Sequence, residues 1–182
     1  MHIPPHAKKV FSGIIFDIYQ WEQELFDGTT ATFEAAKRMN TVEVIPVRNG
    51  KILIAQQEQP MQAPCYTLFG GRQEIGETDL QTGQRELAEE AGITAQQWDL
   101  WKVFEPNDKI DWKISIYIAS GCQQTGEPQL DPGEKISTRA VSFDEFIDIA
   151  TSAQFAGRSL ALEIFRMKQA NTLEQFKRLL RY

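Results

Sequence analysis

The stretch from Gly71 to Ile93, GRQEIGETDLQTGQRELAEEAGI, constrains this chain more than any other. It spaces a glycine, a lone glutamate at Glu77, the pair Arg85-Glu86, the pair Glu89-Glu90, and Gly92 followed by an apolar residue. Thr78 with Gln81 three residues later forms a capping-box pair, and Gly92 suits a helix exit, so the spacing predicts a helix over 79–91. Residues three and four apart share a helix face, which groups Glu86, Glu89 and Glu90. Leu80, Gly83, Leu87 and Ala91 make an adjoining small and apolar face that can pack on a sheet. Arg85, four residues before Glu89, can hold it by an ion pair. Clustered carboxylates raise one another's pKa unless a cation sits among them. Hard oxygen donors with no His or Cys beside them select Mg²⁺ or Mn²⁺ over zinc. An acidic run is ordinarily a solvated helix face. The glycines, Glu77 and Arg85 at their offsets favour the metal-binding reading here.

Composition narrows the rest. The 182 residues suit one domain with a small appendage. A net charge of −6 argues against a general nucleic-acid binder or a membrane-surface protein. It leaves small anionic substrates open, because metal ions reverse the local sign. Cys65 and Cys122 stand far apart without metal-ligand spacing, which fits a reduced, cytoplasmic setting. No apolar run reaches membrane-spanning length, and MHIPPHAKKV has no hydrophobic signal core. The two histidines, His2 and His6, lie at the start, so acid–base work falls to carboxylates, Lys or Tyr.

Residues 11–26 read as an extended segment, Phe26-Asp27-Gly28 as a turn, and 29–37 as the hairpin partner. Such a hairpin is marginal alone and must pack on something. Thr41–Val47 and Lys51–Gln57 flank an Arg48-Asn49-Gly50 turn, and Gln59–Cys65 is a loop. Tyr66–Phe69 is a short strand leading to Gly70-Gly71. Further strands are expected at 98–104, 111–119 and 135–141, the second with Trp112, Ile114, Ile116 and Ile118 on a buried face. Glu105–Lys109 and Gly121–Glu134 are loops. Ser142 with Glu145 predicts a second capping box opening a helix over 143–151, and 158–167 and 173–180 read as helices. Strands mixed with helices, without strict alternation, predict an α/β (α+β) domain with a mixed sheet between helices.

Written as G-x5-E-x7-R-E-L-x-E-E-x-G-I, the stretch resembles the signature of the Nudix family, hydrolases of nucleoside diphosphates linked to another group. The segment Phe11–Val47, with its Leu25-Phe26-Asp27-Gly28 turn, resembles the N-terminal hairpin of the ADP-ribose pyrophosphatase branch. That resemblance implies an arm over residues 1–40, exchanged across a homodimer, and a hydrolase domain over 41–182. It implies Glu86 and Glu90 as principal metal ligands, with Glu89 and the Gly70 carbonyl completing the shell of Mg²⁺ (or Mn²⁺). Glu77 and Arg85 would support those carboxylates. Asp131-Pro132-Gly133-Glu134 matches the branch's mobile catalytic loop, so Glu134, or else Glu89, would take the proton of the attacking water. Trp21 and Arg38 resemble positions that contact the nucleotide, although each is equally well read as a packing or surface residue.

Departures from the branch bear on substrate. Where it often has Q-Y-R, this chain has Gln57-Glu58-Gln59, so Gln59 replaces a phosphate- or base-binding arginine. Phe69-Gly70-Gly71 replaces the usual proline-alanine-glycine, and Glu105-Pro106-Asn107-Asp108-Lys109 replaces an S-P-G loop. The leading expectation is Mg²⁺-dependent hydrolysis of an ADP-ribose-like nucleoside diphosphate sugar. The rivals are another nucleotide substrate (GDP-mannose, FAD or a dinucleotide) and a non-catalytic nucleotide-sugar sensor. Retention of Glu77, Glu86, Glu89 and Glu90 favours the enzyme.

Overall fold

The computed structural model describes residues 3–106 and 108–180. Three strands open the chain, β1 (Lys8–Ser12), β2 (Asp17–Glu24) and β3 (Thr30–Lys37). After them come β4 (Thr41–Arg48), β5 (Lys51–Glu58), β6 (Cys65–Thr67) and β7 (Phe69–Arg72). Helix α1 (Asp79–Ala91) leads into β8 (Ile93–Thr94), β9 (Gln97–Phe104), β10 (Ile110–Asp111), β11 (Ile114–Ser120), β12 (Gln123–Gln124) and β13 (Lys135–Val141). Helices α2 (Phe143–Ala150), α3 (Arg158–Ala170) and α4 (Leu173–Leu179) close the fold.

The larger sheet runs β13-β5-β4-β11-β9, with β6 attached to β5 and β7 to β4. Only its β4–β11 ladder is parallel among those pairings, so the sheet is mixed, as the element pattern predicts. One apolar cluster lies under α2, α3 and α4 and includes Ile45, Ile116, Phe146, Ile164 and Phe176. The other lies under α1 and includes Val44, Leu53, Phe69, Leu87 and Ala91. Alternation along β11 explains the split: Ile114, Ile116 and Ile118 enter the first cluster, while Ser115 bonds Asp79 at the start of α1. No described helix is long and apolar enough to cross a membrane.

Several expected elements divide. The extended run over 11–26 breaks at Gly13, whose N–H donates to Phe16 O, and the chain reverses there from β1 into β2. Tyr66–Phe69 becomes two strands that pair with different partners, because the sheet splays between β5 and β4. The strand over 111–119 divides at Trp112-Lys113: β10 joins β3 and β11 joins β4. The N-terminal hairpin therefore belongs to a four-stranded sheet, order β1-β2-β3-β10, that borrows its last strand from the body of the chain.

Val10, Phe11, Ile14, Ile15 and Phe26 of this arm are nevertheless exposed. Ser142 caps α2 by accepting from Glu145 N, but the reciprocal bond is missing because the Glu145 carboxylate pairs with Arg139 instead.

Candidate active site

Helix α1 begins with the full capping box: Thr78 Oγ1 accepts from Gln81 N, and Gln81 Oε1 accepts from Thr78 N at 2.9 Å. It ends at Gly92, whose N–H reaches the carbonyls of Ala88 and Leu87. With both ends held, its rotation is set by packing. A Cβ on Gly83 would sit 3.3 Å from Val42 Cγ1 and 3.4 Å from Val44 Cγ2, so the helix lies directly on β4 through a glycine. Leu87 and Ala91 are buried beside it, and Leu87 alone contributes about 2 kcal/mol of apolar burial. Leu80, expected on this face, is 36% exposed, and Thr82 is buried in its place. Thr82 can be buried because its hydroxyl donates to Glu77 Oε2 at 2.8 Å.

Arg85 is the hub of the acidic residues. Its Nε donates to Glu77 Oε1 at 2.8 Å, and one terminal nitrogen donates to Glu86 Oε1 at 2.8 Å and to Glu89 Oε2 at 2.9 Å. The other terminal nitrogen bonds Glu77 Oε2 and the Arg72 carbonyl, both at 3.2 Å. A planar guanidinium with five fixed donors suits this many-sided grip; a lysine ammonium does not. Arg85 holds the Glu77 carboxyl down at about 2, assisted by the Glu74 N–H, and Glu77 in turn raises Arg85 above the ordinary guanidinium value.

Glu86 and Glu90 turn toward β7. Glu90 is 8% exposed and accepts the Gly70 N–H at 2.8 Å. Burial pushes its carboxyl up to about 8 against that hydrogen bond, with the charges of Glu86 and Glu134 adding to the rise. Glu86 is likewise raised by burial, and less so because Arg85 opposes it. A Cβ on Gly71 would fall 2.4 Å from Glu86 Oε1, so any side chain there would push that carboxylate aside. Glu89 is the most open of the three, its side chain 46% exposed.

Glu134 approaches from the loop before β13. That loop is anchored to the end of α1: Gln129 N donates to Glu89 O at 2.7 Å, and Thr125 N to Gly92 O at 2.9 Å. The Glu134 carboxylate accepts from Gln59 Nε2 at 3.4 Å, and its charge raises both Glu86 and Glu90. Four carboxylates from two elements thus converge beside β7.

A model of the NUDIX domain matches residues 37–162, more than two thirds of the chain and all of these carboxylates. The chain belongs to the Nudix family. This Nudix hydrolase is 26% identical to the ADP-ribose pyrophosphatase of Bacillus subtilis (strain 168) over 169 residues, 90% of this chain and 91% of the relative. It is 26% identical over 146 residues to the methanol dehydrogenase activator of Bacillus methanolicus, covering 79% of this chain and 74% of the relative. Over 109 residues, 58% of this chain and 84% of the relative, it is 32% identical to the 8-oxo-dGTP diphosphatase of Escherichia coli (strain K12). Its fold is also that of a crystal structure of ADP compounds hydrolase, with a TM-score of 0.73 and 17% identity over 92% of this chain and 95% of that one.

The donor set of this Nudix hydrolase fits a hard divalent cation: carboxylates and backbone carbonyls, with no nitrogen or sulfur ligand. Among the described residues no group of three or more acidic, His or Cys side chains is placed so that it could hold a metal ion. Arg85 explains this, since it draws one oxygen each of Glu86 and Glu89 to itself. A cation bound at these carboxylates would take its remaining oxygens from water, backbone and substrate, which is how Mg²⁺ is usually bound.

Of the other expected site residues, Trp21 and Arg38 pack on partners other than the carboxylates, whereas Gln59 bonds Glu134. Trp21 is buried in the arm sheet, tilted against Phe33, with its indole N–H donating to Gln23. Arg38 stacks over Trp112 at 4.5 Å and Phe16 at 5.7 Å; its Nε is buried without a partner, and burial lowers its pKa with Arg72 adding repulsion. Gln59 lines a cleft of about 610 Å³ with Pro60, Met61, Gly133 and Glu134. The sequence reasoning passed over Glu43, a carboxylate pushed up to about 7 by burial. The signal was available: a lone charge in the otherwise apolar strand TVEVIPV.

Proposed function

We propose that this Nudix hydrolase cleaves the diphosphate of an ADP-ribose-like nucleoside diphosphate sugar, giving a nucleoside monophosphate and a sugar phosphate, with Mg²⁺ or Mn²⁺ required. The observation that carries the reading is the convergence of Glu86, Glu89 and Glu90 with Glu134 beside Gly70 and Gly71. The near full-length similarity to a named ADP-ribose pyrophosphatase supports the substrate class.

In this reading Glu86 and Glu90 hold the cation, with Glu89 and the Gly70 carbonyl assisting. A bound cation neutralises diphosphate charge and lowers the pKa of the attacking water. Glu134 accepts the proton as water attacks one phosphorus; Glu89 is the second candidate for that role. The bond from that phosphorus to the bridging oxygen breaks, and the other phosphate leaves with the oxygen. Arg85 orients the carboxylates and touches no reacting atom. Gln59 steadies Glu134 in its cleft. Arg38, with its orphaned Nε close to Arg72, is available to a nucleotide, while Trp21 is buried against Phe33 within the arm.

The remaining parts of the reading are an arm over 1–40 beside a hydrolase domain over 41–182, a homodimer in which the arm is exchanged, and a cytoplasmic setting. The exposed apolar side chains of Val10, Phe11, Ile14 and Ile15 around the β1–β2 turn support a covering partner.

The test is incubation with Mg²⁺ and a panel of ADP-ribose, GDP-mannose, FAD and a dinucleotide, followed by product analysis. The reading expects metal-dependent release of a nucleoside monophosphate from a nucleotide sugar. Tight binding without release from any compound would make the chain a sensor instead.

A further inference from the structure

Glu134 and Gln59 are cross-strand neighbours. The β13–β5 ladder ends with Lys135 opposite Glu58, and one step further in the same antiparallel register Glu134 stands opposite Gln59 and Gly133 opposite Pro60. Pro60 has no N–H to continue the ladder, so pairing stops and the two loops part around the cleft that Gln59 and Glu134 line. Ile136 packs on the apolar cluster under α1, and alternation puts Glu134, two residues earlier, on that same face of the sheet. Glu86 and Glu90 lie on this side too, and both feel the Glu134 charge. Lys135 and Glu58 pair with each other at 3.5 Å and are exposed, so Gln59 is the polar side chain that meets Glu134.

The two groups meet through one bond, Gln59 Nε2 to Glu134 Oε1 at 3.4 Å. Among the described residues nothing further bonds Gln59 Oε1 or the second carboxylate oxygen. A side-chain amide sets an acceptor beside its donor, whereas a carboxylate sets two acceptors side by side. An amide that reaches a carboxylate through its N–H therefore leaves one acceptor oxygen on each residue beside that bond. Two such acceptors repel unless a donor with two hydrogens lies between them.

Water is that donor. It gives one O–H to Glu134 and the other to Gln59, and keeps a lone pair for phosphorus. Glutamine orients the attacking water in other phosphoryl transfers. An arginine at residue 59 could not do so, because a guanidinium has donors only.

We propose that Gln59 is a catalytic residue: with Glu134 it holds the attacking water by both hydrogens and aims its oxygen at the diphosphate. The inference rests on the diphosphatase reading with Glu134 as base, and adds a second protein contact to the nucleophile. In the step, the water oxygen forms the new bond to phosphorus and one water proton passes to Glu134. The bond from that phosphorus to the bridging oxygen breaks, and its electron pair leaves with the other phosphate. The second water hydrogen, held by Gln59, stays on the product as its new hydroxyl.

Steady-state kinetics with Mg²⁺ and ADP-ribose, or the fastest substrate of the panel, compare wild type with Gln59→Leu, which is close to glutamine in size and has neither polar group. The kcat should fall about 10²-fold, the cost of a misplaced nucleophile, while KM stays within about 3-fold. Gln59→Arg keeps donors toward Glu134 and has no acceptor, so its kcat should also fall. Product partitioning in dilute methanol gives a readout that a merely structural role leaves unmoved. Methanol has a single O–H and cannot satisfy both oxygens, so the wild-type site should discriminate against it. The ratio of methyl phosphate ester to hydrolysis product should rise about 10-fold in Gln59→Leu, the worth of one hydrogen bond. A wild-type kcat in either variant, an effect confined to KM, or an unchanged partition ratio would overturn the assignment. A wild type that hydrolyses no compound of the panel would instead remove the diphosphatase reading, and this role with it.

Discussion

Gly71 and the Glu86 carboxylate approach so closely that a single methyl at residue 71 would fall 2.4 Å from Glu86 Oε1. The cost of Gly71→Ala therefore falls on the position of one carboxylate, proposed above as a metal ligand, rather than on the core. Calorimetric metal titration should show about 10- to 100-fold weaker binding, the usual scale when a metal site's ligands are disturbed. Thermal unfolding of the metal-free protein should change little. Unaltered metal affinity would mean that Glu86 is not a ligand.

Glu134 is held by Gln59 and by a loop fastened to the end of α1. If it is the base, Glu134→Gln should lower kcat by about 10²- to 10⁴-fold while metal affinity stays near wild type. An unchanged kcat would hand the role to Glu89.

The raised pKa of Glu90 gives a pH dependence of definite sign. In the metal-free protein the folded state keeps this proton up to about 8, whereas the ordinary value is 4.5. Between those values the folded state binds more protons than the unfolded one, so this group's contribution to stability falls as pH rises. A cation must displace the same proton, so apparent Mg²⁺ affinity should rise with pH and level off above about 8. Calorimetry in buffers of different ionisation enthalpy reads the released proton directly; a pH-independent affinity with no proton release would contradict the site. Glu77 has the opposite sign. Its lowered pKa stabilises the fold above 4.5, and that contribution is lost as pH falls through about 2.

The arm exposes Phe11 and Ile14 at its β1–β2 end. Light scattering should give the mass of a dimer, and Phe11→Asp with Ile14→Asp should shift it to a monomer. A monomeric wild type would remove the exchanged arm from the account.

The sequence made the helix and its grip legible because both are local. Thr78, Gln81 and Gly92 mark the ends of α1, and Arg85 reaches Glu89 along one helix face. What it hid was long-range. Nothing near Trp112 announces that the strand divides between two sheets, and Tyr66–Phe69 looks continuous until β5 and β4 splay apart. One local exchange was hidden too: Thr82 is buried in place of Leu80 because Glu77, five residues earlier, satisfies its hydroxyl. Glu43 comes to line a cavity only once α3 is packed over the other face of β4. Glu134 was reached through family resemblance rather than spacing, since a loop fixes no geometry by itself.

The central claim is that the carboxylates gathered at Gly70 and Gly71 hold the metal that drives hydrolysis, and Glu90 is its most buried member. The most direct measurement is the rate of nucleoside monophosphate release with saturating Mg²⁺, compared between wild type and Glu90→Gln, with the fold of each checked by circular dichroism. The account predicts a folded variant whose turnover falls by about 10³-fold or more, as when a main electrostatic stabiliser of the transition state is lost. A folded Glu90→Gln protein that keeps most of its activity would contradict it.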